Sequence, residues 1–203
     1  MGKFSEASVN LKEASQIFTK LKDTFNILGA KNALAILYSK NAFYEEAQKE
    51  REEAIILAKI KNSNTSLRNL YRNSAEDNER TGDTKNQIAN LKKSLLANSK
   101  LKNAFFIRPS LLTALVVAYA ENDSLDLAEE HFKEIEANYL NDKSDKNRAY
   151  YVLAKKSIYF GKKDYPNAIK YGLEYLELRK QRTGYEEIMM AEKFLGKVYK
   201  YNN

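Results

Sequence analysis

Tyr44-Glu45-Glu46-Ala47 and Tyr165-Pro166-Asn167-Ala168 carry one pattern, a bulky apolar residue three places before an alanine at the head of an amphipathic run. The same pattern stands as Phe4-Ser5-Glu6-Ala7 and Leu125-Asp126-Leu127-Ala128. Its alanines lie about 40 residues apart or twice that, and a fixed period of roughly 20 to 50 residues marks an array of supersecondary units. The period requires a further copy near residue 87, where Gly82-Asp83-Thr84-Lys85-Asn86-Gln87 keeps the spacing with both marker residues replaced.

Before each run after the first lies another helical segment, closed by a turn-like stretch: Ser39-Lys40-Asn41, Arg80-Thr81-Gly82, Glu121-Asn122-Asp123-Ser124 and Gly161-Lys162-Lys163-Asp164. Each unit therefore reads as a helical hairpin. Gly82 and Gly161 stand where a helix ends in a left-handed cap, and Asp83, Ser124 and Asp164 where the next helix needs acceptors for its free N–H groups. Pro166 falls in a first turn, where its missing donor is harmless. Alanine at 7, 47, 128 and 168 is expected where the two helices of a hairpin cross, because axes about 8–10 Å apart leave little room for a larger side chain.

The hairpins resemble the tetratricopeptide repeat family in a long form, with a period near 40 residues, and the resemblance runs the length of the chain. Phe194-Leu195-Gly196-Lys197-Val198-Tyr199 matches the family's Leu-Gly-x-x-Tyr signature on a first helix, and Ala33-Leu34-Ala35-Ile36-Leu37-Tyr38 leads into Tyr44 and Ala47. Tyr119 and Tyr159 take the same tyrosine place in two further units, and Asn78 replaces it in the most degenerate one. The resemblance implies an all-α, right-handed superhelical solenoid of about ten helices in a single repeat domain. Its expected divisions are a second helix over 1–22, full repeats over 23–62, 63–102, 103–142 and 143–182, and a first helix over 183–203. Such half hairpins suggest a fragment of a longer protein, or ends covered by a second copy in a homodimer.

The composition agrees with helices: 203 residues, 43% hydrophobic, with two prolines and seven glycines. A net charge of +7 invites a nucleic-acid reading. Against it, Lys and Arg alternate with acids along nearly every segment, as in Glu45-Glu46-Ala47-Gln48-Lys49-Glu50-Arg51-Glu52-Glu53, which reads as a solvated helix face. Nucleic-acid binding by a basic helical repeat is thus the alternative and not the leading expectation. No uninterrupted apolar stretch of about 18 residues is visible, so no membrane insertion of this segment is expected. The expected setting is cytoplasmic, or periplasmic should a leader or membrane segment lie outside this stretch.

Catalytic hardware is thin. His131, the single histidine, lies beside Phe132 among Glu129, Glu130 and Glu134 and reads as a packing or surface residue. With no cysteine and no clustered histidines, no metal site, cofactor or catalytic residue is expected, and no phosphate loop or nucleophile elbow occurs. Glu129-Glu130 and Glu186-Glu187 are adjacent on helices, diverge, and read as solvated charges. Tyr44, Tyr119, Tyr159, Tyr165 and Tyr199 sit at repeat positions expected in the core, which leaves them unavailable for base stacking.

By the same resemblance, first helices line an inner groove that holds a peptide or a partner helix. Projected here, the groove comprises Asn32 and Ile36, then Asn69, Arg72, Asn73 and Glu76, then Thr113 and Val117, then Tyr150, Leu153 and Ser157, then Lys193, Lys197 and Lys200. Arg72 and Asn73 would donate to a peptide, Val117 and Leu153 would offer an apolar pocket, and the lysines would favour an acidic portion. A chaperone's C-terminal tail is not the expected ligand, because Ile36 and Glu76 stand where that mode wants polar donors. The expected function is that of a protein-binding scaffold or sensor in a bacterial signalling or transcription regulator, without enzymatic activity.

Overall fold

The computed structural model describes residues 2–181 and 185–202, so the expected division between 182 and 183 and the side chain of Glu186 lie outside the described residues. The chain is all-α, with ten helices and no strand among the described residues. They are α1 (Gly2–Lys20), α2 (Thr24–Lys40), α3 (Tyr44–Ile60), α4 (Asn64–Thr81), α5 (Thr84–Ser99), α6 (Ala104–Glu121), α7 (Leu125–Asn141), α8 (Asp145–Gly161), α9 (Tyr165–Lys180) and α10 (Tyr185–Asn202). Four pairs follow the expected hairpins, α2–α3, α4–α5, α6–α7 and α8–α9. The chain divides into two compact units, Met1–Ala104 and Phe105–Asn203.

One local rule builds the turns. Lys22, Ala42, Asn62, Gly82, Asp123 and Lys163 all have φ between 50° and 75°, each two residues before a new helix. The N–H of the following residue reaches back five places, as Phe43 to the carbonyl of Tyr38, Asp83 to Asn78, Ser124 to Tyr119 and Asp164 to Tyr159. This is the Schellman closure, which satisfies carbonyls that the ending helix leaves bare. The tyrosine place of the repeat is thus the third residue from the end of α2, α6 and α8, and the fourth, as Asn78, in α4.

Two expected caps behave otherwise. Gly82 is left-handed, but Gly161 is the last helical residue of α8, and Lys163 takes the positive φ. A Cβ on Gly161 would lie 2.9 Å from the Ala120 carbonyl oxygen of α6, so glycine there permits close backbone approach and not a turn. Ser124 makes no cap bond to α7; its hydroxyl donates to the Asn122 carbonyl. Asp23, Asp83 and Asp164 do cap, each accepting the N–H of an asparagine three residues on and holding that asparagine's Nδ2 at 2.7 Å.

Ala47, Gln87, Ala128 and Ala168 share one environment. Each donates its N–H to the N-cap carbonyl four residues earlier, and each is buried, at 0%, 4%, 0% and 0% exposure. Burial at 47, 128 and 168 is what the expected crossing requires, whereas Ala7 of α1 is half-buried. In unit 1 the core includes Ala54, Ala58 and Leu70, backed by Leu28 and Leu67; in unit 2 it gathers Val152, Tyr175, Leu176, Ala191 and Leu195.

α6 has the length and mean hydropathy, 1.4, of a membrane-crossing helix, a feature that the search for an uninterrupted apolar stretch passed over because Arg108 and Pro109 interrupt it. Leu111, Leu112, Leu115, Val116, Ala118, Tyr119 and Ala120 of this helix are buried within the protein. Arg108 donates to both carboxylate oxygens of Glu134 on α7, at 2.6 and 2.7 Å. Among the five tyrosines expected in the core, Tyr119 is buried, Tyr44, Tyr159 and Tyr165 are half-buried, and Tyr199 is 45% exposed. His131 stacks on Tyr119 with ring centres 5.7 Å apart.

Candidate functional site

In unit 1 the first helices of two successive hairpins touch. Asn73 Nδ2 on α4 donates to Asn32 Oδ1 on α2 at 3.2 Å. Asn69, Arg72, Asn73 and Glu76 share one face of α4 by their spacing, and Ile36 lies one turn beyond Asn32 on α2. Arg72 Nε donates to Glu76 at 3.0 Å, with both side chains nearly half exposed. Arg68 holds the Asn69 oxygen at 3.0 Å. Burial, and then repulsion from Arg72, hold Arg68 below the usual arginine range.

Unit 2 presents its expected residues less evenly. Thr113 and Ser157 are buried, and their hydroxyls donate to the carbonyls of Pro109 and Leu153 one turn back, so both are corrected from groove contacts to intrahelical bonds. Val117, Tyr150 and Leu153 are half-buried, while Lys193 and Lys200 are exposed. Lys197 is exposed too, with its Nζ 4.7 Å from the centre of the Phe160 ring.

The reading of Glu45–Glu53 as a solvated face fails at Arg51, which is 3% exposed and ion-paired with Asp77 on α4; Asp77 also accepts from Ser39 on α2. Three helices are tied by this buried network. Repeat register carried the signal: Arg51 follows the crossing position by four residues, the place of Leu91, Phe132 and Gly172 in the other hairpins. Asp77 likewise falls where Ala118 and Ile158 sit. Lys31 is tied to the same part of unit 1, bonding Glu50 at 3.0 Å and Glu53 at 2.6 Å; burial alone would lower it, but the carboxylates raise it above the ordinary lysine range. Glu129 is ion-paired with Lys162, so it is not simply solvated.

The degenerate repeat now has a physical account. In hairpin α6–α7 Tyr119 stacks on His131, and in α8–α9 Tyr159 stacks on Tyr171 at 5.4 Å; the same two places in α4–α5 hold Asn78 and Asn90, where Asn90 Nδ2 donates a hydrogen bond to Asn78 Oδ1 at 2.9 Å. Around Tyr171, unit 2 packs Tyr151 and Phe132 about the Lys155 amine, which lies 4.9 Å from the Tyr151 ring and 5.5 Å from the Tyr171 ring. Burial would lower Lys155, but its bond with Tyr151 holds it above the ordinary range. In unit 1, by contrast, the small and polar Ser74, Asn78 and Asn90 leave open a groove of about 690 Å³ between α3 and α5, floored by α4. No group of three or more potential metal ligands occurs among the described residues.

No family model and no curated protein matches the sequence. Among solved structures, the chain is similar to the crystal structure of BtubC (BKLC) from P. vanneervenii, with 16% identity and a TM-score of 0.68 over 98% of this chain and 82% of that one. At that identity the likeness extends to the fold, an array of α-helices.

Proposed function

We propose that this chain is a protein-interaction module of the tetratricopeptide repeat kind, holding a peptide or a partner helix against the first helices of its hairpins and serving as the scaffold or sensor of a bacterial regulator. The observation that carries this reading is the junction of α2 and α4 at Asn32 and Asn73, which turns two separate helices into one polar face. Along that face Arg68 and Arg72 lie close enough to repel, a repulsion that a ligand carboxylate would relieve. Asparagine amides beside them can donate to and accept from an extended main chain. The buried side of each hairpin is occupied by its own packing, so the exposed first-helix face is where specificity can reside.

The test is selection of random peptides against the whole chain, followed by titration of the enriched sequences. Arg72→Ala combined with Asn73→Ala should weaken binding by at least tenfold with the circular dichroism spectrum unchanged. Enriched peptides that bind the double variant as tightly as the parent chain would reject this face.

A further inference from the structure

The groove between α3 and α5 shares α4 with the face proposed above but none of its residues, and is a distinct feature of unit 1. α3 and α5 run the same way, because two reversing turns separate them. Their charges are sorted along the groove: Glu45 and Asp83 stand at the end where both helices begin, and Lys59 and Lys93 toward the end where they finish. These charges exceed what the dipoles of α3 and α5 would offset, since each helix end carries about half a charge and each side chain a full one. The groove is therefore polar along its length. Between the charged ends lie Ile55, the 57%-exposed Ile56 and the exposed Glu52, whose carboxylate accepts from Gln48. On the floor, Arg51 is 3% exposed and gives Nη1 to Asp77, but its buried Nε has no acceptor.

We propose that this groove docks one amphipathic α-helix of a partner protein, acidic in its first turn and basic in its last, running antiparallel to α3 and α5. Its acidic turn faces Lys59 and Lys93, its basic turn faces Glu45 and Asp83, and its apolar positions cover Ile55 and Ile56. Helices ordinarily carry acids at the start and bases at the end, so the groove matches the common polarity of a helix in one direction and opposes it in the other.

Two display libraries of helical peptides with the same randomised apolar stripe, one acidic-first and basic-last, the other basic at both ends, are selected against the whole chain. The acidic-first library should yield at least tenfold more binders. Lys59→Glu with Lys93→Glu, both exposed positions, should reverse that preference, and Arg72→Ala with Asn73→Ala should leave it intact, which separates this groove from the first-helix face. Equal recovery from both libraries, no recovery from either, or a preference unmoved by the lysine reversals would overturn the proposal.

Discussion

Ala42 holds φ at 62° without the freedom of glycine. A side chain in the left-handed region costs roughly 1–2 kcal/mol, and the equivalent turn before α5 uses Gly82 at φ 75° to avoid that cost. Ala42→Gly should therefore stabilise the protein by about 1 kcal/mol, an unusual sign for a glycine substitution, seen as a higher urea midpoint; an unchanged or lower midpoint would show that the turn is not under strain. Asp77 poses the opposite case. It compensates the buried Arg51, and Asp77→Ala would leave a guanidinium with no counter-charge in a dry site, at a cost of about 3–5 kcal/mol. The measurement is again chemical denaturation, and a loss below about 1 kcal/mol would mean that Arg51 escapes to water and the network is dispensable.

Three helices, α2, α5 and α9, begin by a shared device, an aspartate that accepts from an asparagine three residues on. The bonds from Asn26 and Asn86 hold Asp23 and Asp83 below the usual carboxylate range. A carboxyl depressed in the folded state stabilises fully above its unfolded pKa, near 3.9, and loses that contribution as pH falls through the lower folded value. The melting temperature should accordingly drop as pH is lowered through and below about 4. Asp23→Asn with Asp83→Asn, which caps without titrating, should flatten the drop; an identical pH profile in the double variant would remove the caps from the acid response. At this scale most of the structure was legible. The period placed four hairpins because the crossing alanine and the bulky residue before it are local requirements of any paired helix. What was not legible was Arg51, since a charged residue in a run of charges looks solvated until its register is compared with Leu91, Phe132 and Gly172.

Across the two units several of the cations are paired or packed. Arg108 and Arg148 chelate Glu134 and Glu174 in successive hairpins, Lys31 bridges two glutamates, and Lys155 is enclosed by aromatic rings. Lysines so engaged are not free to neutralise phosphates. At about 0.15 M salt the chain should leave single- and double-stranded oligonucleotides unretarded in a native gel. Retardation that weakens steeply with added salt would favour nucleic acid over protein as the partner.

Helix content, the hairpin period and most of the turns follow from the sequence, because helix propensity, capping and amphipathic spacing act over a few residues. Tertiary structure alone decided that Thr113 and Ser157 turn inward, that Gly161 serves a close backbone approach, and that Asn78 with Asn90 opens a groove where Tyr159 with Tyr171 fills one. Each of these depends on which side chain stands opposite, one helix or one repeat away, and contact across that separation is created only when the hairpins pack.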